Sequence, residues 1–290
     1  MKKFIILIPL YNDWKSVSKL LNEIDTQIYN WNAEVSVIIV NDASTEEKSD
    51  LYLNYKKIKS IKILNMKENT MHQRCIAAGL KYICKNEEFD RVIVMDADGE
   101  DRPEELSLLI EKIRNYPDLA VTANRIKRSE GLMFKFCYLA HKYLTFVFTG
   151  QTIKFGNYTC LPKTTVNQMI NEPATWSSFS GSLAKTVKDK ESIPSERGKR
   201  YFGPSKMSFM NLLKHSLSII AVFKTTLLIR SILFLIVYLF LMIGKISVIT
   251  IIPVIAVIVM MLSVFILSKR ENMSEYNSSL ENIENIDRIK

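Results

Sequence analysis

Arg91-Val-Ile-Val-Met95 runs directly into Asp96-Ala-Asp98-Gly99-Glu100-Asp101-Arg102-Pro103. The first five residues are a short apolar run rich in β-branched side chains, which reads as a buried strand. Pro103 suits the first turn of a helix, and Glu104 and Glu105 behind it suit the positive end of the helix dipole. A strand, an acidic turn and a helix in that order make one β-α unit. In open α/β sheets ligands collect beyond the carboxyl ends of the strands. Asp96 and Asp98, two positions apart at such an end, can converge on one hard divalent cation, with Glu100 and Asp101 as further oxygen donors in the same turn.

The same pattern extends upstream. Apolar runs at 4–8, 35–40, 61–64, 92–95 and 119–123 alternate with helical stretches at 14–27, 72–84 and 103–115. That alternation predicts an α/β fold with a mainly parallel, Rossmann-like sheet. Two more strand ends then join the acidic turn on one edge: Pro9-Leu-Tyr11-Asn-Asp13 and Asn41-Asp42-Ala-Ser44. No GxGxxG follows the first strand, which argues against a nicotinamide enzyme. Downstream come an aromatic-rich helix at 133–149, a strand at 156–161 and a Ser/Thr-rich stretch at 175–182. His72 and Gln73 open the second helix beside the expected site. His141 and His215 are read as structural, since neither has a carboxylate or cysteine at metal-ligand spacing in the sequence.

The last third is different in kind. Between Leu227 and Leu267 the only charges are Arg230 and Lys245. Residues 246–267 exceed the ~20 needed to cross a bilayer core. Residues 231–243 reach that length when extended back to 225, with Arg230 snorkelling toward headgroups. A two-helix transmembrane hairpin over 225–267 is therefore expected, preceded by an amphipathic interfacial helix at 207–224 and followed by a polar, solvated tail at 268–290. Lys206, Lys214 and Lys224 stand before the hairpin, Lys269 and Arg270 after it. Positive flanks at both ends predict that both face the cytosol. Met1-Lys2-Lys3 leads straight into the first strand without a small-residue cleavage pattern, so no signal peptide is expected, and residues 1–206 form a cytosolic catalytic domain at the inner membrane.

The chain has 290 residues and a net charge of +9. Its basic residues are dispersed and thicken toward the membrane-proximal end, which fits anionic lipid headgroups and not nucleic acid. Cys75, Cys84, Cys137 and Cys160 show no CxxC spacing, as expected of a reducing compartment without a disulfide framework or zinc site.

Taken together, Pro9-Leu-Tyr-Asn-Asp13, Asn41-Asp-Ala-Ser44, Ala78-Gly-Leu80, Asp96-Ala-Asp-Gly-Glu-Asp-Arg-Pro-Glu104, Arg125-Ile-Lys-Arg128 and Arg200-Tyr-Phe-Gly-Pro-Ser-Lys206 resemble glycosyltransferase family 2, of the GT-A fold. The resemblance covers 3–267. It is strongest to the dolichyl-phosphate mannose synthase and undecaprenyl-phosphate glycosyltransferase branch with two C-terminal membrane helices. It implies a nucleotide-sugar donor such as a UDP- or GDP-sugar, Mg2+ or Mn2+, a polyprenyl phosphate acceptor and inversion at the anomeric carbon. Carried over, Pro9, Tyr11 and Asp13 frame the nucleotide, Asp42 bonds the base, and Gln73, Asp96 and Ala97 complete the donor site. Asp96, Asp98 and Glu100 hold the metal, and Asp96, Asp98 and Arg128 act in catalysis. Arg125, Arg128, Asn157, Arg200, Ser205 and Lys206 receive the acceptor phosphate.

Three departures stand out. Asn41 replaces the first acid of the usual Asp-Asp turn, Glu100 replaces a neutral amide, and Asn157 stands where the branch often carries an aspartate after Gly156. Asn157 cannot serve as a general base. Two rivals follow: a glycosyltransferase extending a lipid-linked glycan at a sugar hydroxyl, and a membrane scaffold that binds nucleotide-sugar without turnover. A homo-oligomer is compatible with the sequence.

Overall fold

The computed structural model describes residues 1–48, 51, 54–127, 132–203 and 209–290. They divide into two compact units, one of Met1–Ser129, Lys154–Lys206 and Asn272–Lys290, the other of Glu130–Ile153 and Met207–Glu271.

The first unit is built on β1 (Lys2–Leu10), α1 (Trp14–Gln27), β2 (Ala33–Asn41), β3 (Ile58–Met66), α2 (His72–Asn86), β4 (Arg91–Val94), α3 (Leu106–Asn115) and β5 (Ala120–Lys127). Parallel β3, β2, β1 and β4 lie side by side. Residues 4–10 of β1 are all buried, because helices cover both faces of the sheet. Ile6 and Ile8 pack with Val17, Leu20 and Ile24 of α1 on one face, while Ile5 and Leu7 pack with Ile76, Leu80 and Ile83 of α2 on the other. The alternation follows from the two-residue period of a strand. Gly79 lets α2 approach closely, since a Cβ there would stand 2.5 Å from Leu7 Cδ1.

Beyond β4 the sheet becomes mixed. β6 (Phe155–Pro162) runs antiparallel between β4 and β5, and β7 (Lys190–Glu196) pairs parallel with β5. The two short helices α5 (Lys163–Met169) and α6 (Phe179–Thr186) lie between β6 and β7 in sequence. Among the described residues eight strands run in the order β7-β5-β6-β4-β1-β2-β3 and then β8 (Ile283–Arg288), so the sheet is mostly parallel, as the sequence pattern predicts.

The stretch expected to be a solvated tail is instead part of this unit. It forms a short helix, Met273–Ser278, and a last strand, β8 (Ile283–Arg288), which pairs antiparallel with the outer edge of β3. Tyr276 is wholly buried, stacks on Trp176 at 5.4 Å between centroids, and donates its hydroxyl to the Ala77 carbonyl at 3.2 Å. Polar composition misleads here because a few apolar residues set among polar ones, Tyr276 with Met273, Leu280 and Ile283 beside it, dock the segment together with backbone pairing.

The second unit contains α4 (Leu132–Thr149), α7 (Phe209–Ala221), α8 (Lys224–Leu241) and α9 (Val248–Ser268). Phe148, Ile220, Leu227, Val257 and Val264 form its core. α8 and α9 are long and apolar enough to cross a bilayer, and only 11% of each span is buried, unlike the core helix of a soluble protein. Tyr238 Oη donates to the Thr250 carbonyl near the hairpin tip. The Arg230 guanidinium donates to the carbonyls of Phe146 and Val147 at 3.3 and 2.9 Å, in the last turn of α4, where positive charge suits the helix end. The start of the expected interfacial helix, 207–208, lies outside the described residues.

Candidate active site

The carboxyl ends of β1, β2 and β4 bring three turns together. Three non-glycine residues there have positive φ: Asn12 (50°), Ala43 (53°) and Met71 (78°). Left-handed backbone is costly for Ala and Met, and it persists where surrounding bonds over-determine it. Asn12 supplies several of those bonds. Its Oδ1 accepts the Thr45 and Glu46 amides at 2.8 and 3.1 Å, and its own N–H donates to Ser44 Oγ at 2.9 Å, so the β1 and β2 turns are stapled.

Asp42, expected to bond a nucleotide base, is only 3% exposed. Its carboxylate accepts the backbone N–H of Thr70 at 2.7 Å and of Met71 at 3.0 Å, and so fixes the turn that opens α2. Pro9 is buried in β1, whereas Tyr11 is exposed at the strand end.

The acidic turn is threaded by cations. Asp96 Oδ1 meets His72 Nε2 at 3.1 Å and accepts from Asn157 Nδ2 at 3.2 Å. Gln73 accepts the Phe179 amide at 2.7 Å and donates to Asn157 at 3.3 Å, holding that amide in place. Arg200 bridges Asp98 at 2.6 Å and Asp13 at 2.7 Å. Glu100 is bound by Arg197, and its amide donates to Asp98 Oδ1 at 3.0 Å. Asp101 is buried, accepts the Asp96 amide at 2.9 Å and faces Arg125 at 3.7 Å. Ala97 is buried within the turn.

The segment after β7 lies across this turn. Gly198 N–H donates to the Glu100 carbonyl and Tyr201 N–H to the Asp98 carbonyl, both at 2.9 Å. Gly99 has φ +84°, and a Cβ on it would lie 2.5 Å from the Tyr201 ring. Only glycine meets both demands.

Crowding of carboxylates governs the electrostatics. Burial and the neighbouring Asp96 charge push Asp98 up to about 6, and the same causes push Asp101 up to about 8. Burial acts the same way on Asp96, but the charge and hydrogen bond of His72, with that of Asn157, outweigh it and hold Asp96 below the usual carboxylate range. Burial would lower His72, yet Asp96 opposite raises it. Asp96 and Asp98 supply hard oxygen donors in a turn where carboxylates crowd, a donor chemistry that suits a divalent cation. Glu100, the third expected ligand, is paired with Arg197. Among the described residues, no three acidic, imidazole or thiol groups are gathered at metal-ligand geometry.

Of the expected site residues, Arg200 joins Asp13 to Asp98, and Asn157 joins Gln73 to Asp96 in the same acidic turn, with Arg125 linked to Asp96 through Asp101. Arg128, Ser205 and Lys206 lie outside the described residues. Sequence reasoning missed Arg197 and the pairing of His72 with Asp96. The signal for the first was Arg197-Gly-Lys-Arg200 opposite a run of four acids, and for the second a histidine at the start of a helix facing that run.

Similarity to known proteins follows this geometry. The chain is 25% identical over 232 residues to the undecaprenyl-phosphate 4-deoxy-4-formamido-L-arabinose transferase of Klebsiella pneumoniae (strain 342), covering 78% of this chain and 69% of that protein. The glucosyl-3-phosphoglycerate synthase of Mycobacterium tuberculosis, solved with Mn2+, UDP-Glc and phosphoglyceric acid, superposes with a TM-score of 0.56 at 12% identity over 78% of this chain and 80% of that one. A mannosyltransferase of Pyrobaculum calidifontis, solved with GDP-Man and Mn2+, gives 0.51 at 13% identity over 97% and 87%. These likenesses establish the GT-A fold. Residues 5–177, more than half of the chain, match the model of one family, and the chain therefore belongs to glycosyl transferase family 2.

Proposed function

We propose that the chain transfers a sugar from a nucleotide-sugar to a polyprenyl phosphate at a membrane surface, with inversion at the anomeric carbon. The observation that carries this reading is the pairing of the Asp96/Asp98 turn with an amide, Asn157, where a hydroxyl acceptor would need a carboxylate base. Relatives named as undecaprenyl-phosphate transferases support the same acceptor.

Asp96 and Asp98 would hold the divalent ion, which when bound neutralises charge on the leaving diphosphate. His72 and Asn157 fix the rotamer of Asp96. Arg200 stands between Asp13 and Asp98, at the end of the donor site where phosphate charge accumulates. An acceptor phosphate oxygen attacks the anomeric carbon as the bond from that carbon to the diphosphate oxygen breaks, and the nucleoside diphosphate departs. A phosphate monoester has a second pKa of ~6 and arrives already anionic, so no protein base has to remove a proton. Of the residues assigned to it, Arg125, Asn157 and Arg200 are described and lie on the acidic turn, and Arg128, Ser205 and Lys206 are assigned to the same role on the sequence alone.

Asp101 is not available as a base for a sugar hydroxyl, since it is buried and bonded to the Asp96 amide. This disfavours the glycan-extending rival. Residues on both sides of the hairpin share one sheet, which supports a hairpin whose ends emerge on the same side, the cytosolic side by the charge flanks. The test offers purified protein a panel of labelled nucleotide-sugars with polyprenyl phosphate and Mn2+. Label is expected in the organic phase. Label found only on a lipid-linked saccharide whose phosphates are already substituted would overturn the acceptor.

A further inference from the structure

Three asparagines stand in one lateral row across the carboxyl edge of the sheet. Asn41 of β2 is in register with Asn65 of β3, and Asn65 with Asn285 of β8. Their amides are joined head to tail: Asn41 Nδ2 donates to Asn65 Oδ1 at 2.9 Å, and Asn65 Nδ2 donates to Asn285 Oδ1 at 2.6 Å and to Asp287 Oδ2 at 3.2 Å. At the inner end, Asn41 Oδ1 accepts the Ser44 amide at 3.1 Å, and Ser44 Oγ accepts the Asn12 amide at 2.9 Å. An unbroken chain of hydrogen bonds thus runs from the strand that follows the hairpin to the β1 and β2 turns of the donor site.

We propose that β8 is a positioning element of the donor site, acting through the Asn41–Asn65–Asn285 row. This rests on the nucleotide-sugar reading of that site. Asn65 must accept from one neighbour and donate to the other, which a carboxamide does and a carboxylate cannot. Linked amides polarise one another, so the row is strongest when complete. It is needed because Ala43, inside the turn it fixes, has a left-handed φ of 53° that alanine does not hold by itself. Lys48, paired with Asp287 at 2.9 Å, ties the far side of the same turn to β8.

The test compares full-length variants with the wild type. Asn65→Asp keeps the size of the side chain and its acceptance from Asn41, but cannot donate to β8. Asn285→Ala with Asp287→Ala removes both acceptors. Either change should speed amide exchange at 44–46 roughly tenfold, leave β1 and β4 unchanged, and raise the KM for nucleotide-sugar several-fold while kcat holds. Asn285→Ala with Asp287→Asn retains one acceptor oxygen for Asn65 and should restore slow exchange relative to the double alanine variant. Unchanged exchange at 44–46 in both variants overturns the proposal, as does acceleration spread evenly over all strands with a lowered melting temperature. The exchange measurement needs no substrate, so it decides the role of β8 even if the proposed reaction fails.

Discussion

Asp98 is the residue on which the chemistry turns. It supplies an oxygen donor to the acidic turn, and its only described cationic partner, Arg200, keeps Asp13 if Asp98 is removed. Asp98→Ala should therefore lower turnover at least about 100-fold while the circular dichroism spectrum and melting temperature stay near wild type. Retained activity in that variant, or in excess EDTA, would remove the metal assignment. Next to it, Gly99→Ala forces a Cβ into left-handed backbone and against the Tyr201 ring. The expected cost is ~1–2 kcal/mol from the backbone alone, read as a lower melting temperature. At this scale the sequence showed which residues carry charge but not where the charge points. Asp96 and Asp98 were legible because a two-residue spacing at a strand end leaves little freedom. The pairing of Glu100 was not, because its partner Arg197 stands ninety-odd residues away in sequence.

At the scale of elements, the buried strands were the most legible feature, since a run such as Phe4-Ile-Ile-Leu-Ile leaves no polar face and stands next to a helical period in α1. β8 was illegible for the opposite reason. Ile283-Glu-Asn-Ile-Asp-Arg288 is an edge strand whose side chains are largely exposed, so its pairing lies in the backbone and leaves no apolar alternation to read. Two changes test these joints. Tyr276→Ala empties a fully buried ring site between Trp176 and α2 and should cost ~3–5 kcal/mol, measured by denaturant unfolding of the detergent-solubilised protein. Arg230→Leu keeps α8 apolar but takes the guanidinium away from the Phe146 and Val147 carbonyls at the end of α4. Amide exchange in the final turn of α4 should rise, with a loss of ~1 kcal/mol and no change at Asp96.

For the whole molecule, the segments before and after the hairpin belong to one compact unit. In a Cys-free variant, cysteines introduced at Ser274 and Lys245 should differ under an impermeant maleimide added outside intact cells: Lys245 labels and Ser274 does not. Labelling at Ser274 would break the hairpin topology. The same connectivity sets an order on synthesis. β3 leaves the ribosome early, yet its partner β8 follows only after roughly 200 more residues, among them α8 and α9, both long and apolar enough to cross a bilayer. At about 5–20 residues per second, the outer edge of β3 waits roughly 10–40 s with its hydrogen-bonding groups open. A nascent chain stalled in or before the hairpin would thus present a naked, sticky sheet edge, and closing that edge would mark the chains whose hairpin has gone in and come back.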